Sequence, residues 1–136
     1  MKGDEIVDTM MKHDYFSQWL GIKILAISEG YCKLSLCIRK DMLNGFHIAH
    51  GGITYSLADS ALAFASNSKG QKSVSIETSI LHLVSLKEGD EIIAESVNES
   101  DTGKLGHYKI KIYRLQQPEQ AVALFKGIVY KTSKNW

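Results

Sequence analysis

The stretch Asn44 to Asn67, NGFHIAHGGITYSLADSALAFASN, limits what this chain can fold into more than any other. From Ile53 to Ala65 apolar residues fall on almost every side of a helix, and the single charge is Asp59. Such a helix must be covered by the rest of the chain. At 136 residues, 44% hydrophobic and 23% charged, the sequence is an ordinary globular balance and reads as one domain over residues 1–136. A lone carboxylate in that helix must reach water, find a partner, or hold a shifted pKa because it takes part in chemistry.

The cover is legible on both sides of the helix. In YCKLSLCIRK, Cys32, Leu34, Leu36 and Ile38 alternate with Tyr31, Lys33, Ser35, Cys37 and Arg39, the pattern of a strand with one buried face. GIKILAIS reads as its hairpin partner across Glu29-Gly30. After the helix, strands are expected over Val74 to Leu86, Glu91 to Val97, His107 to Leu115 and Ala121 to Tyr130. Turns at 87–90, 100–103 and 116–119 separate them, and their shortness implies antiparallel pairing. Ile6, Val7, Met10, Met11, Phe16, Trp19 and Leu20 predict one or two short N-terminal helices ending at Gly21. The expected fold is α+β, a curved antiparallel sheet of about six strands wrapped around one long helix. The small surface of Ala58, Ala61, Ala63 and Ala65 would let another backbone approach closely.

Several function classes drop out. A net charge of +1 with no like-charge run offers no footprint for nucleic acid or an anionic membrane. MKGDEIVDTMMKHDYF lacks the apolar core of a secretory signal and no segment reaches membrane length, so the expected location is cytoplasmic. Cys32 and Cys37, five apart on one strand, point to opposite faces; neither a mutual disulfide nor a zinc site is expected. His13, His47, His82 and His107 show no ligand spacing, and no metal is expected.

The chemistry concentrates at the start of the helix. Gly51 and Gly52 follow His50, and their N–H groups with the positive end of the helix dipole form an anion-stabilising site. Two glycines equally suit a tight turn into a helix, His50 equally suits a loop, and Asn44 before Gly45 suits a turn. Asp59 differs in kind, although a tyrosine hydroxyl or Ser56 could hold it structurally. Ser73 and Ser75 read as ordinary strand residues.

The pattern MLNG-x4-HGG-x3-SLAD-x-A-x-A-x-A-x-NS, with AVALFKG near the end, resembles the hotdog thioesterases of the phenylacetic-acid-degradation type from Leu20 to Lys131. The resemblance implies the hotdog fold and metal-free hydrolysis of acyl-CoA, with coenzyme A part of the substrate rather than a cofactor. Aryl-acetyl or hydroxylated aryl-acetyl groups are the implied acyl class. It makes Asp59 the group that activates water or attacks the acyl carbon, and Gly51 the N–H donor to the carbonyl. Asn44 and His50 shape the site, and Ser75 matches a water-orienting hydroxyl. Gly52, His82, Gly103 and Lys104 fall at substrate-contacting positions. His82-Leu83-Val84-Ser85 stands where the family often has an aromatic residue followed by Leu-Arg-Pro.

Eight residues separate Gly51 from Asp59, which places them about 12 Å apart along one helix, too far to act on one thioester group. A homodimer with sites shared between antiparallel helices is therefore expected. The resemblance adds two dimers forming a tetramer. A non-catalytic acyl-CoA binding module and an acyl-thioester hydratase or dehydratase are the alternatives; the first gains little from Asp59, and the second uses a differently spaced His and acid.

Overall fold

The structure is a computed structural model of residues 1–136. Two short helices, α1 (Gly3–His13) and α2 (Tyr15–Leu20), precede the hairpin β1 (Lys23–Ser28) and β2 (Tyr31–Cys37). A 3-10 turn at Lys40–Met42 leads to α3 (Gly51–Asn67), and then β3 (Gln71–His82), β4 (Glu91–Thr102), β5 (Leu105–Arg114) and β6 (Gln117–Asn135) complete the chain. All six strands form one antiparallel sheet in the order β1-β2-β4-β5-β6-β3. α3 lies across its inner face. This is the hotdog arrangement.

The inner face is set by alternation. Cys32, Leu34 and Leu36 of β2, Ile92 and Ala94 of β4, Ile110 and Ile112 of β5, and Ala123 and Phe125 of β6 are buried against Leu57, Ala61, Phe64 and Ala65 of α3. Each large side chain removed from water in this way contributes about 1.5–3 kcal/mol. Gly127 allows the close approach, because a Cβ there would lie 2.5 Å from Leu62 Cδ2. The far end of α3 is tied down by Ser68, whose Oγ donates toward Ala65 O at 2.7 Å and Ser28 O at 3.0 Å and accepts the Gly30 N–H. α1 covers the core with Ile6 and Val7.

Three expectations change. β3 ends at His82 rather than Leu86, because the Leu83 and Val84 N–H groups both turn to Val122 O, at 2.9 and 3.2 Å, and the ladder stops. β3 and β4 therefore form no hairpin; the connection carries the chain from the sheet edge to its middle. The turns expected over 100–103 and 116–119 tighten to Gly103-Lys104 and Leu115-Gln116, since β4 and β5 stay paired up to Thr102 and Leu105, Gly103 takes φ +60, and β6 begins at Gln117.

The third change concerns α3. The helix is not buried all round: Gly52, Ser56, Asp59 and Ala63 form a stripe at i, i+4, i+7 and i+11 that remains partly open. Ala58, Ala61 and Ala65 are wholly buried against the chain's own core, so only Ala63 of the four alanines faces outward. Beside this stripe runs β3, an edge strand with Val74, Ile76 and Leu81 exposed at 57–58%. No helix is long and apolar enough to cross a membrane. Cys32 is buried and Cys37 exposed, both as free thiols.

Candidate active site

The loop before α3 arranges its donors by local hydrogen bonding. His50 caps the helix, its Nδ1 accepting the Gly52 N–H at 2.8 Å, which places the ring proton on Nε2. Gly52 was expected to present its N–H beside that of Gly51; His50 occupies it instead. The Gly51 N–H, at the first helical position, has no partner in the chain and sits at the positive end of a 17-residue helix.

Gly51 lines a cleft of about 250 Å³ together with Asn44, Thr54, His82 and the loop 83–86. The Asn44 side-chain oxygen accepts the Phe46 N–H at 2.8 Å and holds the tight turn that precedes the helix. Thr54 Oγ1 donates to Gly51 O at 3.0 Å. With its proton used there, the hydroxyl accepts from His82 Nδ1–H at 3.3 Å, so His82 Nε2 carries a free lone pair when the ring is neutral. That nitrogen lies beside Gly51, where a Cβ would meet it at 3.2 Å. The sequence alone does not mark Thr54, though its i+3 position relative to Gly51 is the signal.

Asp59 belongs to a second cleft, of about 410 Å³, bounded by the outward side of α3 beyond Asp59, the start of β3 including Ser75, Val129 of β6, Met10 of α1, and Trp136. Its carboxyl pKa is raised, first by burial and then by the Asp14 carboxylate. Asp14 is held near by a buried relay: it accepts from Ser17 Oγ at 2.7 Å, and Ser17 meets Ser60 Oγ, next along α3 from Asp59, at 2.8 Å. No side chain neutralises Asp59, which leaves it free to take a proton or attack a carbon.

One chain therefore divides the expected residues between two places. Asn44, His50, Gly51 and His82 gather at the start of α3, while Asp59 and Ser75 gather two turns further along. Gly103 and Lys104 join neither group; they form the β4–β5 turn, where Lys104 Nζ lies 6.0 Å from the Tyr130 ring. No group of three or more His, Cys, Asp or Glu side chains is placed to hold a metal ion. Met10, Asp14 and Trp136 carried no sequence signal, because only the folded chain brings them to α3.

Residues 46–121 match the thioesterase superfamily. The acyl-coenzyme A thioesterase PaaI of Escherichia coli is 36% identical over 118 residues, covering 87% of this chain and 83% of PaaI. This chain belongs to the PaaI-like hotdog thioesterases. The solved structure of E. coli PaaI, a protein from the phenylacetic acid degradation operon, superposes with a TM-score of 0.93 over 98% of this thioesterase and 95% of that chain, at 32% identity. The Thermus thermophilus protein TT0310 gives a TM-score of 0.83 at 32% identity, covering 88% and 99% of the two chains.

Proposed function

We propose that this thioesterase hydrolyses acyl-CoA to free acid and CoA at sites built from two copies of the chain, with aryl-acetyl or hydroxyphenylacetyl groups as the acyl class. The observation that carries the reading is the division of the site between two clefts on one helix. An attacked carbonyl needs its oxygen at the Gly51 N–H and its carbon within about 3–3.5 Å of the nucleophile. Gly51 and Asp59 of one chain stand about 12 Å apart along α3.

A second copy removes the conflict. Related by a twofold axis, two edge strands β3 extend one sheet, and the open Gly52-Ser56-Ala63 stripes of two antiparallel α3 helices face each other. The start of each helix then meets the middle of the other. Gly51 polarises the thioester carbonyl, and Asp59 of the other copy activates water or attacks the acyl carbon, with Ser75 beside it. Asn44 holds the turn and His50 caps the helix. In the water route Asp59 takes a proton from the attacking water, the tetrahedral oxyanion rests on the Gly51 amide, and collapse expels the CoA thiolate. A dimer is the minimum assembly of this reading, and pairing of dimers into a tetramer is compatible with it. The origin of E. coli PaaI in a phenylacetic acid degradation operon supports the acyl class, and the cytoplasm is the proposed location.

The test follows free CoA with a thiol reagent across phenylacetyl, hydroxyphenylacetyl, benzoyl and aliphatic thioesters. Release with the unaltered chain, reduced at least about a hundredfold by Asp59→Asn, is the expected result. Tight binding of acyl-CoA without turnover would favour the binding-module reading.

A further inference from the structure

The cleft at Asp59 runs one way. Its other lining residues, Leu62, Ala63, Val74 and Val129 among them, follow α3 toward its C-terminal end and make a mainly apolar trough that stops at the Trp136 indole. Trp136 is fixed on three sides. Its backbone N–H donates to Gly70 O at 2.9 Å, its indole N–H donates to Asn67 Oδ1 at 2.9 Å, and Lys72 Nζ stands 4.8 Å from the ring centroid. Asn67 is itself locked, donating to Ala63 O at 2.8 Å and Ser73 O at 3.0 Å while accepting the Ser73 N–H at 2.9 Å. The wall at this end is therefore stiff.

We infer that Trp136 is the specificity-determining end wall of the acyl site, and that it sets the longest acyl group this enzyme accepts. The inference rests on the proposed function, since it takes the thioester carbon to lie at Asp59. From there the trough offers an apolar path along α3, and the acyl group is the only strongly apolar part of an acyl-CoA. Asp59 and Asn67 are eight residues apart, about 12 Å along α3. An extended chain advances about 1.2 Å per bond, so roughly ten carbons bring an acyl tail against the indole. A phenylacetyl or hexanoyl group ends short of it; a tetradecanoyl group does not fit.

The experiment compares kcat/KM for hexanoyl-CoA and tetradecanoyl-CoA in the unaltered protein, Trp136→Ala and Trp136→Phe. The expected result is at least a tenfold rise in the tetradecanoyl to hexanoyl ratio for Trp136→Ala and little change for Trp136→Phe. A folded Trp136→Ala protein with an unchanged ratio overturns the inference. No CoA release by the unaltered protein on any thioester overturns the proposed function instead. A second measurement does not depend on Trp136→Ala folding. The chain has two tryptophans, so Trp19→Phe combined with Asp59→Asn leaves Trp136 as the sole indole in a slowed enzyme. Its emission should change on adding decanoyl-CoA, whose tail reaches the indole, and not on adding CoA; equal responses to both overturn the inference.

Discussion

Two inactive variants should restore each other. Asp59→Asn removes the carboxylate that the proposed reaction uses as base or nucleophile and keeps the shape of the side chain. Gly51→Pro removes an amide at the start of α3 that has no partner in the chain, and the backbone there tolerates the ring. Proline suits the first helical position, and His50 before it has φ −59 and ψ 137, the conformation favoured ahead of proline. The nearest obstacle to a Cβ is His82 Nε2 at 3.2 Å, on an exposed side chain. Loss of a positioned base or of one oxyanion donor each costs about a hundredfold or more, so both parents should retain about 1% of activity or less. Random re-association of equal amounts makes half of the dimers mixed, and each mixed dimer holds one site with both Asp59 and Gly51 intact. The mixture should recover about a quarter of the unaltered activity per chain. Denaturing and refolding the mixture, with different tags to isolate the mixed dimers, gives the assay. Mixed dimers that stay at parental background, or full turnover by a dilute monomer, would refute the division of the site between copies.

Other outcomes follow from single features. The acid limb of kcat/KM should lie above the ordinary carboxylate range, because burial and then Asp14 raise the Asp59 pKa; Asp14→Asn should move that limb to lower pH, and an unmoved limb would show that another group titrates. A carboxyl whose native pKa exceeds its unfolded one favours folding below the unfolded pKa and loses that contribution as pH rises through the native pKa. Asp59→Asn should therefore raise Tm at neutral pH and lose the advantage in acid, and thermal melts at the two pH values check it. EDTA-treated protein should keep its turnover; loss restored by zinc or manganese would overturn the metal-free mechanism. Gly127→Ala should destabilise the fold by about 1–3 kcal/mol, because the added Cβ meets Leu62 Cδ2 at 2.5 Å, and an unchanged urea midpoint would show that α3 can lift from the sheet.

Local elements and the class of chemistry were legible in the order of residues alone. Alternation over Tyr31–Cys37 reported the apolar buried face, as Cys32, Leu34 and Leu36 show, because strand periodicity is a property of the pleat and needs no knowledge of the partner; Ser35, on the other face, is buried as well, which only packing decides. The apolar run around Asp59 required a helix under a sheet, and HGG followed by SLAD carried the family. What lay beyond the sequence is what depends on non-adjacent strands and on packing in three dimensions. Nothing in Gln71–His82 says that β3 pairs with β6 at the sheet edge, since short connections favour neighbours and this one does not. The alanine spacing suggests a surface for another backbone, yet Ala58, Ala61 and Ala65 pack on the chain's own core, because helix periodicity gives the faces of a helix and not which of them the sheet will cover. Only the fold brings Asp14 beside Asp59, turns the Gly52 amide to His50, and stands Trp136 at the end of the trough, since each contact joins residues whose distance depends on how every element between them is packed.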